Sequence, residues 1–100
     1  MRIIAKRTLV DCWENNPGRR DARGQLEAWY KEVKDAAWRT PADVKEQYRS
    51  ASIVKSNRVV FNICGNKYRL VVKINYIARL VFIRFIGTHK EYDSINVEEI

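Results

Sequence analysis

Arg58-Val59-Val60-Phe61-Asn62-Ile63, then Gly65-Asn66, then Lys67-Tyr68-Arg69-Leu70-Val71-Val72-Lys73-Ile74 is the stretch on which the fold is decided. Its two outer runs are β-branched and aromatic, a composition that suits a pleated, half-buried surface. Between them Gly65 and Asn66 both tolerate positive φ, as a tight hairpin turn requires. The stretch predicts a β-hairpin. In its second strand a period of two puts Tyr68, Leu70, Val72 and Ile74 on one face, and Lys67, Arg69, Val71 and Lys73 on the other. One face packs and the other is cationic. A third strand, Leu80 to Ile86, is apolar except for Arg84, the pattern of a strand covered on both sides. A guanidinium there needs a partner or an opening to solvent. The three strands hold no acid, so a partner for Arg84 has to come from a helix or the C-terminal tail.

Working upstream, Thr40-Pro41-Ala42-Asp43 reads as a helix start, with Thr40 as cap, Pro41 in the first turn and Asp43 reaching back to free amides. That helix is expected to end near Tyr48. Leu26, Trp29, Tyr30, Val33 and Ala37 fall at the spacing of an amphipathic helix whose stripe packs on the sheet. Arg19 to Gly24 leads into it as a turn. Met1 to Ala5 reads as a short strand, followed by Thr8 as cap of a helix that stops at Asn16-Pro17-Gly18. No repeat or linker divides the chain, so residues 1–100 are expected to form one domain. Strand, helices, then three strands predicts an α+β fold, with the N-terminal strand and helices packed on one face of a mainly antiparallel sheet.

The charge is distributed unevenly. Met1 to Val54 carries eleven Lys or Arg and eight Asp or Glu; Lys55 to Lys90 carries eight bases and no acid; the tail from Glu91 carries four acids and no base. The net charge is +7 and the isoelectric point near 9.7. A surface that only needs solubility mixes its signs. The carboxylate-free stretch therefore points to a polyanionic partner, although Lys67, Arg69 and Lys73 on a merely solvated sheet face would give the same pattern. No apolar run approaches a membrane span, and the N-terminus is too short in apolar residues for a signal peptide, so a cytoplasmic location and no membrane partner are expected. Cys12 and Cys64 have neither metal-site spacing nor nearby histidines and read as reduced structural thiols.

No phosphate loop, dinucleotide fingerprint, zinc spacing or serine elbow occurs, and no close carboxylate pair suited to two metal ions. No cofactor and no metal are expected. RNA cleavage without metal needs a base for the ribose hydroxyl, cations around the phosphate and an acid for the leaving oxygen. His89, the chain's only histidine, follows the third strand in Gly87-Thr88-His89-Lys90-Glu91-Tyr92-Asp93, and Tyr92 would share its side if a helical turn forms there. Arg69 and Arg84 can supply fork-shaped donors to phosphate oxygens.

The hairpin with its Gly-Asn-Lys-Tyr-Arg-Leu segment, the Val81 to Ile86 strand with its Gly-Thr-His-Lys-Glu-Tyr-Asp end, and Trp38-Arg39-Thr40-Pro41-Ala42-Asp43 upstream together resemble the HigB-type toxins of the RelE/ParE superfamily. The resemblance covers nearly the whole chain. It implies a RelE-like fold, with helices on a twisted sheet, and the toxin of a type II toxin–antitoxin system. Such a toxin is a ribosome-dependent, metal-independent endoribonuclease, an mRNA interferase that cleaves translated mRNA and arrests growth. It also implies a HigA-like antitoxin with a helix-turn-helix domain, through which alone operator DNA is bound. By the same resemblance Arg69 is the phosphate-binding arginine and Tyr92 the C-terminal aromatic of the site. The candidate set is Arg69, Arg84, His89 and Tyr92 for catalysis, with Lys55, Arg58, Lys67, Lys73 and Lys90 tracking RNA or ribosome. The chain departs from the RelE pattern in having only eight residues after Tyr92, and Arg58 and Asn62 where a lysine pair would stand. Which group is the general base stays open. Two other readings share the fold: a ParE-like toxin that poisons gyrase, and a non-catalytic RNA-binding module.

Overall fold

The hairpin forms as two strands, β3 (Arg58–Ile63) and β4 (Tyr68–Asn75), at the centre of a five-stranded sheet. The computed structural model describes all residues from Met1 to Ile100. The other strands are β1 (Arg2–Ile4), β2 (Ser52–Val54) and β5 (Leu80–Thr88), and the spatial order is β1-β5-β4-β3-β2. Only β1 runs parallel to its neighbour, β5, so the sheet is mainly antiparallel as expected. Four helices complete the α+β fold: α1 (Lys6–Glu14), α2 (Arg23–Asp35), α3 (Pro41–Gln47) and α4 (His89–Tyr92). A 3-10 turn, Pro17–Ala22, joins α1 to α2.

The alternation read in β4 sets the core. Tyr68, Leu70, Val72 and Ile74 are buried with Leu9, Leu26, Trp29 and Val33 from the helices, in one continuous cluster between the helical layer and one sheet face. Phe61 of β3 is its aromatic centre, with ring centroids 5.4 Å from Trp29, 5.1 Å from Tyr48 and 6.3 Å from Trp38. The two closest are edge-on, as ring quadrupoles prefer. Trp38 reaches this cluster because its indole nitrogen donates to Gln47 Oε1 of α3 at 3.0 Å, which satisfies its polar end. The Thr40 capping box is present: Asp43 Oδ2 accepts from Thr40 N at 3.2 Å, and Thr40 Oγ1 from Asp43 N at 3.4 Å.

Four details differ from the sequence reading. First, α1 starts at Lys6, not after Thr8, because Ala5 adopts the left-handed conformation (φ 75°) and reverses the chain directly out of β1. Thr8 is thus already inside the first turn, its amide bonded to Ala5 O at 3.0 Å. Second, Ala37 lies beyond the end of α2 and is exposed, and Trp38 takes the core position after the helix. Third, the hairpin turn spans four residues, Cys64 to Lys67, since Ile63 pairs with Tyr68. Its positive φ values fall at Cys64 (54°) and Gly65 (67°), not at Asn66, and Lys67 N donates to Cys64 O at 3.2 Å.

The fourth concerns the second sheet face. Val71, expected on an open cationic face, is fully buried, as is its β3 partner Val60, yet neither belongs to the helix-side cluster. The same face carries Arg58, whose Nε and Nη2 both donate to the Ile100 carbonyl oxygen, the first at 3.1 Å. The segment after Tyr92 therefore returns across this face to β3, with Ile95, Val97 and Ile100 half-buried. In place of a terminal helix, the tail roofs the middle of the sheet.

Candidate functional site

Cross-strand register arranges the second face in rows. Asn62, Arg69 and Gly87 form the row nearest the hairpin turn; Val60, Val71 and Phe85 the next; Arg58, Lys73 and Phe82 the third. Arg69 thus stands between an amide side chain and a residue with none. Its guanidinium makes one bond, Nη1 to Asn66 O at 3.3 Å, and no carboxylate lies within ion-pair distance. A half-exposed Arg with four of its five donors free is ready for an external anion.

Beyond Gly87 the strand ends in a capped helical turn. Thr88 Oγ1 accepts from Glu91 N at 3.2 Å and Glu91 Oε1 accepts from Thr88 N at 2.8 Å, which closes α4 over its four residues. A helical turn thus forms here, and His89 and Tyr92 lie on it. His89 N donates to Lys67 O at 3.3 Å, fastening α4 beside the hairpin turn. The imidazole Nδ1 lies 3.1 Å from Asp93 Oδ2. With Nδ1–H donated there, a neutral ring presents Nε2 as its acceptor. Lys90 is exposed and Tyr92 half-buried. Arg69, His89, Lys90 and Tyr92 are thereby gathered at one end of the sheet.

The remaining candidates lie elsewhere. Arg84 sits at a β-bulge where Val71 and Val72 face Phe85 and Ile83, so it is extruded from the ladder. It is exposed, which answers the question of its partner: the bulge opens it to solvent. Lys73 and Lys55 are exposed near the far end of the hairpin. Arg58 and Lys67 are committed within the chain. Arg58 is 8% exposed and holds Ile100 O and, at 2.8 Å, Ser56 O. Lys67 Nζ meets Asp21 Oδ2 at 2.5 Å. The thiols of Cys12 and Cys64 are free and burial pushes both upward, away from thiolate chemistry. No helix is long and apolar enough to cross a membrane.

The profile of the HigB toxin family, described as the RelE-like toxic component of a toxin–antitoxin system, matches residues 22–95. The chain belongs to this family. That span contains the hairpin, β5 and all of α4, so every candidate catalytic residue of this HigB-family chain falls inside it. The mRNA interferase HigB of Escherichia coli O6:H1 is 27% identical over 97 residues, covering 95% of this chain and 91% of the relative. The mRNA interferase toxin HigB of Escherichia coli strain K12 is 28% identical over 95 residues, covering 93% and 88%. The mRNA interferase HigB of Shigella flexneri matches to the same extent.

Within this HigB-family fold, three functional-site neighbours escaped the sequence reading: Arg19, Asp21 and Glu91. Asp21 Oδ1 accepts from Tyr68 OH at 2.7 Å, and Arg19 Nη2 lies 2.8 Å from Glu91 Oε1. The hydrogen bond from Lys67, and then that from Tyr68, hold the Asp21 carboxyl below its ordinary value of 3.8. The hydrogen bond from Arg19, and then the Thr88 amide, hold Glu91 below 4.5. Both carboxylates thus bind protons less readily folded than unfolded. Their contribution to stability is complete above the unfolded values and vanishes as pH falls through the lower folded ones. The melting midpoint should fall on acidification below about pH 4.5, and Asp21→Asn, scanned by calorimetry, should shallow that slope. An acid limb identical to that of the parent chain would mean that these contacts do not persist in solution.

Proposed function

We propose that this chain is an endoribonuclease toxin that cuts translated mRNA on the ribosome and arrests growth in the cytoplasm until a HigA-like helix-turn-helix antitoxin neutralises it. The observation that carries the reading is the unpaired Arg69 guanidinium beside the turn bearing the only histidine. The names of the Escherichia coli and Shigella relatives, mRNA interferases, support it.

In this scheme the ribose 2′-hydroxyl gives up its proton and attacks the adjacent phosphorus, the bond to the 5′ oxygen breaks, and that oxygen takes a proton as it leaves. His89 Nε2 is placed to move one of these protons. Arg69 meets the charge that builds on the phosphate oxygens, and Arg84, exposed at the bulge further along the strand, supplies a second fork to the RNA backbone there. Tyr92 stacks on or positions a base. Lys55, Lys73 and Lys90, exposed and without ion pairs, track the RNA or ribosomal backbone. The scheme requires no metal. Operator DNA is reached only through the antitoxin.

A map of transcript 5′ ends after brief induction tests the reading. Cuts at defined positions inside translated codons are expected. Intact messages beside growth arrest and DNA damage would overturn it in favour of a gyrase poison; intact messages with RNA bound would favour a binding module.

A further inference from the structure

The 3-10 turn Pro17–Ala22 holds both halves of the candidate site from behind. Asp21 accepts from Tyr68 OH (2.7 Å) and Lys67 Nζ (2.5 Å) through its carboxylate, and from Cys64 Sγ (3.4 Å) through its backbone oxygen. One residue thus ties down both ends of the hairpin turn and the strand position directly before Arg69. Two residues earlier, Arg19 pairs with Glu91, which sits on α4 between His89 and Tyr92. The Glu91 oxygen that meets Arg19 is the one that caps Thr88 N. It also lies against the backbone of Gly87, where an added Cβ would come within 2.7 Å of it. The bond from His89 N to Lys67 O closes the ring between the two arms.

We infer that Arg19 and Asp21 are positioning residues that fix the Arg69 strand relative to the His89–Tyr92 turn, on the reading of the site proposed above. Each side chain is charge-paired within the chain, Arg19 with Glu91 and Asp21 with Lys67. The need for such a device follows from the elements it holds. A four-residue helix has too few internal bonds to keep its own orientation, and the hairpin turn bends through two positive-φ residues. Proton transfer and phosphate stabilisation both demand placement to within a fraction of an ångström. A turn that begins with proline, kinks at Arg19 and grips both segments two residues apart meets that demand.

Arg19→Gln and Asp21→Asn should each lower the single-turnover cleavage rate at saturating toxin by about ten- to a hundredfold. Half-saturation for ribosome-bound message should be unchanged, and each variant should stay folded at the assay temperature, its melting midpoint at neutral pH lowered only by the loss of the one carboxylate contact. Arg19→Lys, which keeps a charged reach to Glu91, should retain most of the rate. An unchanged rate, or a rate that falls only in step with the melting midpoint and is not recovered by Arg19→Lys, would overturn the assignment. A second measurement needs no RNA. Since the chain has one histidine, its imidazole gives one ring signal in an NMR spectrum, and Arg19→Gln should shift it. If that signal stays in place, the clamp does not hold α4 and the inference fails. If it shifts while the wild-type chain cuts no message, the nuclease reading fails and the clamp stands.

Discussion

Arg69→Ala should abolish growth arrest and lower cleavage by about 10²–10³-fold, the loss that follows removal of one group stabilising developing charge. The folded state should hardly notice. Arg69 is half-exposed, has no ion pair, and donates one weak bond to the carbonyl of Asn66 in its own turn. Truncating such a side chain changes stability by roughly 0.5 kcal/mol or less. Arg69→Lys separates charge from geometry. Lysine keeps the positive charge but loses the planar fork that meets two phosphate oxygens at once, so partial activity is expected. The check is cleavage of a translated message beside a melting curve for each variant. Full toxicity of a folded Arg69→Ala chain would remove this arginine from the mechanism and leave Arg84 as the phosphate ligand.

The hairpin was legible because its information is local. The aliphatic period of β4, the stop at Gly65 and the Thr40 capping box each lie within a few residues, and each formed. The turn of α4 was raised only as a condition for His89 and Tyr92 sharing a side; the Thr88–Glu91 pair that closes it is local but was not read. What could not be read depends on where distant segments meet. Arg58 and Lys67 carry the same charge as Arg69 and sit on the same hairpin, so composition ranks the three alike. Only the folded chain brings Ile100 O to Arg58 and Asp21 to Lys67, while Arg69 is left free. The bulge at Arg84 was signalled by a cation in an apolar strand, which required an opening but did not reveal its form. The roof over Val60 and Val71 had no local signal, because alternation describes a face and not what covers it.

The distribution of unpaired charge follows from the same contacts. Of the eight bases between Lys55 and Lys90, only Lys67 has an Asp or Glu carboxylate within ion-pair distance, and Arg58 is satisfied by the backbone oxygens of Ser56 and Ile100. The cations left to an outside partner include Arg69 and Lys90 beside α4 and Arg84 on the neighbouring strand. Lys55, Lys73 and Arg79 are unpaired as well but lie toward the opposite end of the sheet, so it is the histidine, not charge alone, that marks the α4 end.

His89→Ala should lower cleavage by about 10²–10⁴-fold, the usual worth of a positioned proton-transfer group. The residue is held at two points, one on the backbone and one on the ring, that leave one ring nitrogen for chemistry. The backbone amide anchors to Lys67 O, Nδ1 faces Asp93 Oδ2, and Nε2 has no partner in the chain. Asp93 fixes the ring's tautomer and direction without itself exchanging the proton, so Asp93→Asn should cost less than His89→Ala and leave RNA affinity intact. His89→Gln retains a polar side chain of similar reach but cannot carry a proton near neutrality, and it should be as inactive as the alanine variant. Single-turnover rates for the three chains decide the matter. If His89→Gln cleaves as fast as the parent, the imidazole serves only as a hydrogen-bonding surface. The proton transfer would then pass to Lys90 or Tyr92, the other ionisable candidates on the same helical turn.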